Sequence, residues 1–407
     1  MPKSTFFTGQ PVFNQLLCFI PRSKVEQLAL KHSADRYCKK FKAFDHLVTM
    51  LFSGFHHCTS LRELITGLQA GSSRLSHLGI TSTPRRSTLA DANKRRSVDF
   101  FSDLFHFLRN RYVGFLPDSR IKGKIRDRLF IVDSTTITLF SEVFKACGNA
   151  MANGKKKGGV KAHTLIRVKD DVPCFVRLGA ASGADKSIMP ELKLPSGSIL
   201  VMDKGYNNYL PMEAWTGQGV SWVTRLNKSS YWALLEENPV SEQQKRQGVI
   251  SDKRISLGKP QTRVRVQQAR IITYYDNQSG KTFEFLTNNQ QFSALTIAGI
   301  YKQRWQIELL FKRLKQNFQL TNFLGDNQNA IKIQIWCALI ADLLIKIVKD
   351  RADKRRKQKW SFANVAGLIR QHLGTYIDLL QFLINPERAL IGYKEAQPDY
   401  QLTLFKT

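Results

Sequence analysis

Leu129-Phe130-Ile131-Val132-Asp133-Ser134-Thr135 and, further on, Ile199-Leu200-Val201-Met202-Asp203-Lys204-Gly205 each set an aspartate directly behind a four-residue apolar run. Such runs read as central strands buried on both faces. Each aspartate is therefore expected at a strand's exit, where the loops of an α/β sheet open and rigid strands hold ligand-binding side chains. Two such strands side by side would bring two carboxylates to one site. Aspartate is also an ordinary strand terminator and turn former. Either residue alone therefore says little, and a third element has to join them.

Around these runs lie further segments rich in strand formers: His163 to Val168, Cys174 to Leu178 and Trp222 to Leu226. A helical stretch, Asp185 to Leu192, precedes the fourth strand, and another near Tyr209 to Trp215 precedes the fifth. Short links between the first three strands predict antiparallel pairing, and the later helix crossovers predict parallel additions to the same sheet. Residues 119–226 thus read as the first part of a mixed α/β (α+β) core. Strands return over 227–288, including Arg263 to Val266 and Arg270 to Tyr275, without a comparable helix, as a β-rich insertion. Residues 289–325 complete the core with one strong helix from Ser293 to about Leu320. Helical spacing governs 1–118 and 326–407, so helical N- and C-terminal regions flank the core.

The third element is Tyr301-Lys302-Gln303-Arg304-Trp305-Gln306-Ile307-Glu308-Leu309-Leu310-Phe311-Lys312-Arg313-Leu314-Lys315. At about 100° per residue, Tyr301, Arg304, Glu308 and Lys315 fall within an arc of roughly 60°. Ile307, Leu310, Phe311, Leu314 and Phe318 take the opposite side and are expected to dock. A solvated face explains polar residues, but not a single acid among several bases. In-line phosphodiester cleavage has to stabilise charge on the attacking and leaving oxygens, which two metal ions about 4 Å apart achieve when carboxylates hold them. Mg²⁺ prefers oxygen ligands and keeps several waters, so a sparse set of Asp and Glu suffices. Arg304 and Lys315 then suit phosphates near the scissile bond, and Tyr301 can donate a hydrogen bond to a phosphate oxygen.

On these residues the chain resembles the DDE transposases of the insertion sequence 4 family. Tyr301, Arg304, Glu308 and Lys315 reproduce the family's Y-(2)-R-(3)-E-(6)-K signature. Asp133 in Ile-Val-Asp-Ser-Thr resembles its first-acid motif, and Asp203 in Met-Asp-Lys-Gly-Tyr its second. The resemblance covers about residues 125 to 320. It implies a ribonuclease H-like core with the β-rich insertion between the second Asp and the Glu. It also implies that Asp133, Asp203 and Glu308 bind Mg²⁺ or Mn²⁺, that water attacks at the element's ends, and that the freed 3′-hydroxyl joins target DNA. In some relatives the element is released through a hairpin, with the Tyr, Arg and Lys near the 5′ phosphate. An aromatic residue of the insertion can then stack on a flipped base; Trp222, Trp232, Phe283 and Phe285 are available here, with core packing as the competing use.

The rest of the chain bears on partners. Lys and Arg number 62 against 32 Asp and Glu over 407 residues, a formal charge of +30 that calls for a polyanion. A membrane surface is the rival, but Ile335 to Val348 is short of the roughly 20 apolar residues a span needs and carries Asp342 and Lys346. It reads as a buried helix. The N-terminus lacks the pattern of a secretory signal, and six scattered cysteines suit reduced thiols. Adjacent His56, His57 and Cys58 are spaced too tightly for a normal zinc site. A cytoplasmic, nucleoid-associated bacterial protein is expected.

Residues 60 to 96 offer a helix-turn-helix, with Leu61 to Leu68 as one helix and a second capped by Ser87. Thr88, Asp91, Asn93 and Arg95 could reach base edges while Arg85, Arg86 and Arg96 hold phosphates; a solvated basic helix explains the same residues. Lys155, Lys156 and Lys157, with Lys161, lie in a Gly-rich link suited to clamp a DNA backbone. The basic run Arg351 to Lys359 fits either DNA or a solvated helix face. His163 reads as a core histidine. The expected partners are double-stranded DNA, as terminal inverted repeats and target, and a second copy in a homodimer on DNA. The alternatives are a metal-dependent nuclease of the same core and a non-catalytic repressor or element remnant; retention of the acids with Tyr301, Arg304 and Lys315 argues against the remnant.

Overall fold

Nine strands form one mixed sheet: β1 (Leu129–Thr138), β2 (Gly159–Arg167), β3 (Val172–Ala180), β4 (Ile199–Met202), β5 (Ser221–Arg225), β6 (Trp232–Glu237), β7 (Val249–Leu257), β8 (Val266–Asp276) and β9 (Lys281–Thr287), in the order β3-β2-β1-β4-β5-β9-β8-β7-β6. The computed structural model describes residues 8–71, 77, 80, 83–112, 124–138, 149–150, 156–157, 159–261, 266–318, 320 and 323–388. Two compact units divide the chain: Met1–Pro117 with Arg313–Thr407, and Asp118–Lys312, which holds the sheet.

The first five strands follow the ribonuclease H-like expectation. β1, β2 and β3 pair antiparallel, and β4 joins β1, then β5 joins β4, in parallel. Val132, Leu200, Met202 and Trp222 are fully buried, with Met212 and Trp215 of the Tyr209–Gly217 helix in the same core. At roughly 1.5–3 kcal/mol per large apolar side chain, this burial stabilises the core that the strands and helix share.

Several expectations are revised. β1 does not end at Asp133. Its parallel partner β4 stops at Met202, but antiparallel pairing with β2 carries β1 on to Thr138. Asp133 therefore lies inside a strand, where one of its two neighbours runs out. The described strands of the 227–288 insertion join the core sheet: β9 pairs antiparallel with β5, and β8, β7 and β6 continue outward. It also holds a short helix, Glu242–Arg246, capped by Ser241. Arg263 to Arg265, expected in a strand, lie outside the described residues. Asp185–Glu191 is a 3₁₀ helix with Pro190 inside it, which lacks the N–H a longer helix would need.

The helix expected from Ser293 to Leu320 is two helices, Ala294–Lys302 and Trp305–Asn317. Ser293 caps the first by accepting from the Thr296 N–H. Between them the Arg304 N–H donates to the Tyr301 carbonyl at 3.0 Å and the Gln306 N–H to the Gln303 carbonyl at 2.9 Å, three-residue bonds that tighten the turn.

In the other unit the described structure is helical. Gln328–Asp353 is buried on nearly all sides and packs on Ala43–His56, Arg86–Arg95 and Val98–Tyr112. Its length of 26 residues contains the buried stretch read from Ile335 to Val348. Asp342 within it accepts from Arg313 at 2.8 and 3.0 Å. Among the described residues no helix is long and apolar enough to cross a membrane. Among the described residues Cys18, Cys38, Cys58, Cys174 and Cys337 form no disulfide, and Cys147 lies outside the described residues.

Candidate active site

The site begins with strand register. Val132 and Met202 are the last parallel pair of β1 and β4, so the residues that follow, Asp133 within β1 and Asp203 just past the end of β4, come level. β5 runs parallel to β4 with Val223 opposite Val201, and the same register brings Arg225 level with Asp203. The Arg225 guanidinium donates to Asp203 Oδ1 at 2.7 Å. The Ser134 N–H donates to Asp133 Oδ1 at 2.8 Å. From the turn between the two helices, Arg304 donates to Asp133 Oδ2 at 2.7 Å and, with its other arm, to Glu308 Oε1. Asp133 and Glu308, far apart in the chain, are thus joined through one guanidinium. Arg225 was not singled out from sequence; the signal that could have found it is its place at the exit of the strand beside β4.

The acids differ electrostatically. Burial pushes the Asp133 carboxyl up to about 6; the Ser134 N–H and Arg304 oppose the rise, and neighbouring Asp203 and Glu308 add to it. Burial acts on Asp203 in the same direction, but the hydrogen bond and charge of Arg225 outweigh it and leave the carboxyl below its ordinary value. Three partly buried carboxylates stand against two guanidinium groups, which leaves one negative charge in excess. Oxygen-only donors with excess negative charge fit a hard divalent ion. Among the described residues no three His, Cys, Asp or Glu side chains converge on one point as they stand; the arginines hold oxygens of all three acids.

Tyr301 is buried, and among the described residues its hydroxyl meets no partner at full hydrogen-bond geometry, Arg304 being the group near it. Burial raises its pKa. Its ring centroid lies 5.0 Å from that of Phe285. A cavity of about 450 Å³ opens there, lined by Tyr274, Phe283, Phe285, Tyr301 and Trp305 along with Arg225 and Arg304. Of the aromatic candidates read from sequence, Trp222 is excluded: it is fully buried and its indole N–H donates to the Met212 carbonyl at 3.1 Å. Trp232 is partly exposed on edge strand β6, and Phe283 and Phe285 line the cavity. Trp305, 59% exposed, was missed. Lys315 falls two helical turns beyond Glu308 on the same helix, in the chain segment assigned to the other unit.

The expected DNA-reading helix is Arg86–Arg95, with Arg85 rather than Ser87 at its N-cap. Arg85, Arg86, Thr88, Asp91 and Arg95 are exposed, and Arg95 pairs with Asp91. Two of the residues assigned to DNA turn inward. Asn93 is 1% exposed, its Oδ1 2.7 Å from His46 Nε2. Arg96 is 5% exposed and donates to the carbonyls of Ala34, Phe41 and Lys42. As they stand neither meets a base or phosphate: both are buried, with Asn93 Oδ1 and the Arg96 guanidinium engaged by partners of their own unit. Lys155 lies outside the described residues. Lys156–Lys157 form a two-residue ladder with Asn149–Ala150, their side chains not being among those described. His163 is buried beside Tyr206, as expected.

Residues 124–344 match the Transposase DDE domain model, and residues 8–81 match a domain of unknown function. The chain is 31% identical to a protein named as a transposase from Sinorhizobium fredii, over 65% of this chain and 72% of that protein. It is 26% identical to a protein named as a transposase for insertion sequence element IS4SA from Synechocystis, over 78% and 87%. Among solved structures, a chain of the piggyBac transposase synaptic complex with hairpin DNA is similar at TM-score 0.46 and 9% identity, over 96% of this chain and 84% of that one, too slight a likeness to decide anything. With the domain model matching more than half of its length, the chain belongs to the DDE transposases, enzymes that cut DNA and join its strands in dependence on divalent metal.

Proposed function

We propose that Asp133, Asp203 and Glu308 hold the divalent ions of an insertion-sequence transposase that cuts phosphodiester bonds at the element's ends and transfers the 3′-hydroxyl into target DNA. The observation that carries this reading is the connected set Asp203, Asp133, Arg304 and Glu308, in which two acids are level on adjacent strands and the third shares a guanidinium with the first. Two Mg²⁺ or Mn²⁺ ions, when bound, supply positive charge to the attacking and leaving oxygens. The Ser134 N–H and Arg225 orient the two strand carboxylates. Arg304 has the fork geometry to turn from carboxylate to phosphate. The buried Tyr301 hydroxyl, near Arg304, has a proton to donate to a phosphate oxygen, and Lys315 contributes a point charge further along the helix. The aromatic cavity suits a nucleobase displaced at the cleaved end, between Phe283 or Phe285 and Trp305.

Exposed Arg85, Arg86 and Arg95 bind DNA phosphates without regard to sequence, and Lys155, Lys156 and Lys157 clamp the backbone. Two element ends have to be cut together, so the working form on DNA is a homodimer. The test is incubation of the full chain with Mg²⁺ and DNA bearing the terminal repeats, against Asp133→Asn, Asp203→Asn and Glu308→Gln. Each variant is expected to bind the ends and to cleave more than about 100-fold slower, since loss of a mere outer-shell partner already costs 10–100-fold. Variants that cut as fast as the parent defeat the assignment. Light scattering of the end-bound complex checks the dimer: a mass of one protein copy per complex rejects it.

A further inference from the structure

A fourth carboxylate faces the same corner of the sheet-bearing unit. Asp185 opens the 3₁₀ helix Asp185–Glu191, and its two oxygens have different surroundings. Oδ1 accepts the Ser134 hydroxyl at 2.8 Å and the Lys161 ammonium at 3.3 Å, with His163 Nδ1 at 3.8 Å. Lys161 is itself anchored on the Gly183 carbonyl at 2.7 Å. Oδ2 accepts no hydrogen bond from the described residues. It points over Gly205 instead. A Cβ on that glycine would lie 3.3 Å from Asp185 Oδ2 and 4.0 Å from Asp203 Oδ2, so the missing side chain leaves open a space bordered by one oxygen of each acid.

A carboxylate that only paired with Lys161 would have no need to show its second oxygen to another acid. Here Oδ1 is pinned by two donors, which fixes the direction of Oδ2. Two anionic oxygens facing one small space repel unless positive charge, or the protons of an ion's water shell, lies between them. A hard divalent ion keeps several waters and needs acceptors for their protons. Ser134 is also the residue whose N–H orients Asp133, so the group that pins Asp185 belongs to the same site.

We propose that Asp185 is a positioning residue of the metal site, its Oδ2 accepting from the water shell of a divalent ion held by Asp203 across the gap left by Gly205, with Ser134 and Lys161 fixing its orientation. This rests on the reading of Asp203 as an ion-holding residue, and the variants are chosen to separate the two. Asp185→Asn keeps an oxygen for Ser134 and Lys161 and replaces the oxygen over Gly205 with an amide nitrogen. Gly205→Ala removes no acid and no hydrogen bond; it fills the gap with a methyl group. Both are made in the full chain beside Asp203→Asn, with Mn²⁺ binding followed by the electron paramagnetic resonance signal of the free ion and the metal-free melting temperature recorded.

The expected result is a Mn²⁺ Kd raised about 10-fold or more in Asp185→Asn and in Gly205→Ala, in line with the loss of an outer-shell partner, at an unchanged metal-free melting temperature. Parent-like Mn²⁺ affinity in both variants, when Asp203→Asn has lost binding, overturns the proposal and leaves the function of Asp203 standing. Parent-like binding in Asp203→Asn overturns both. Should Asp185→Asn melt lower without metal, Gly205→Ala alone decides.

Discussion

Two stretches of this chain look alike in sequence and finish differently in the fold. Both the Arg86–Arg95 helix with its flanking arginines and the Tyr301–Lys315 stretch set bases and polar residues at helical spacing, and each predicts a face turned to DNA. In the second, Arg304 is carried to carboxylates on both a strand and the helix that follows it. In the first, Asn93 and Arg96 are drawn inward to serve His46 and three backbone carbonyls. Helical spacing tells which residues share a face. It does not tell whether that face meets solvent, another helix or a sheet edge.

The largest effect expected from this contrast concerns Arg304. Arg304→Ala leaves Asp133 and Glu308 without their shared cation, and cleavage of terminal-repeat DNA should fall by roughly 100-fold, the upper range for an outer-shell partner. Arg304→Lys should recover little of it, because an ammonium has no fork to bridge two carboxylates. A lysine variant with the parent's cleavage rate would reduce Arg304 to a point charge.

Arg96→Ala should act on folding instead. It strands buried carbonyls, and urea unfolding should show a loss of about 3 kcal/mol with the salt dependence of DNA binding unchanged. Parent-like stability with weakened DNA binding would return Arg96 to the DNA surface.

Acid should probe the same packing. Burial, helped by the Arg96 charge, holds the pKa of His46 down at about 3. An unfolded chain takes up a proton near the ordinary value of about 6.5 that the folded unit refuses. Stability is therefore full above pH 6.5 and falls as the pH drops toward 3, by about 2 kcal/mol at pH 5. His46→Leu should flatten that slope in urea titrations at about pH 7 and about pH 5, and an equally steep slope in the variant would assign the effect to other groups.

The smallest change is expected at the exposed edge of the helix. Arg95→Ala should shift stability by no more than about 0.5 kcal/mol. It should weaken DNA binding evenly across sequences and lower the salt slope by about one. A loss confined to one DNA sequence would show base reading there.

Much of the site is legible in the sequence alone. The apolar runs before Asp133 and Asp203 announce buried strands, since a strand buried on both faces has little choice of composition, but each aspartate alone says little. Glu308 stands out as the acid among the bases of its stripe. Other features are illegible there for definite reasons. Arg225 and Asp185 follow no spacing rule, because their partners come from other strands, and only sheet register brings Arg225 level with Asp203. The extension of β1 past Asp133 depends on β2 outlasting β4. Ser87 has the chemistry of a cap, yet the helix starts at Arg86. The insertion's strand character is plain, but not that β9 adds it to the edge at β5.

The sequence by itself determined much of the strand and helix content, the mixed character of the core and the +30 charge that calls for a polyanion, which follow from local composition and periodicity carried by neighbouring residues. It offered Asp133, Asp203 and Glu308 with Tyr301, Arg304 and Lys315 as candidates, joined there by a family resemblance. Tertiary structure alone decided which bases pair with acids, which polar residues are spent in the interior, and that Gly205 leaves a gap between Asp185 and Asp203. Those outcomes depend on distances between segments remote in the chain, and such distances exist only once burial and strand pairing have closed the fold.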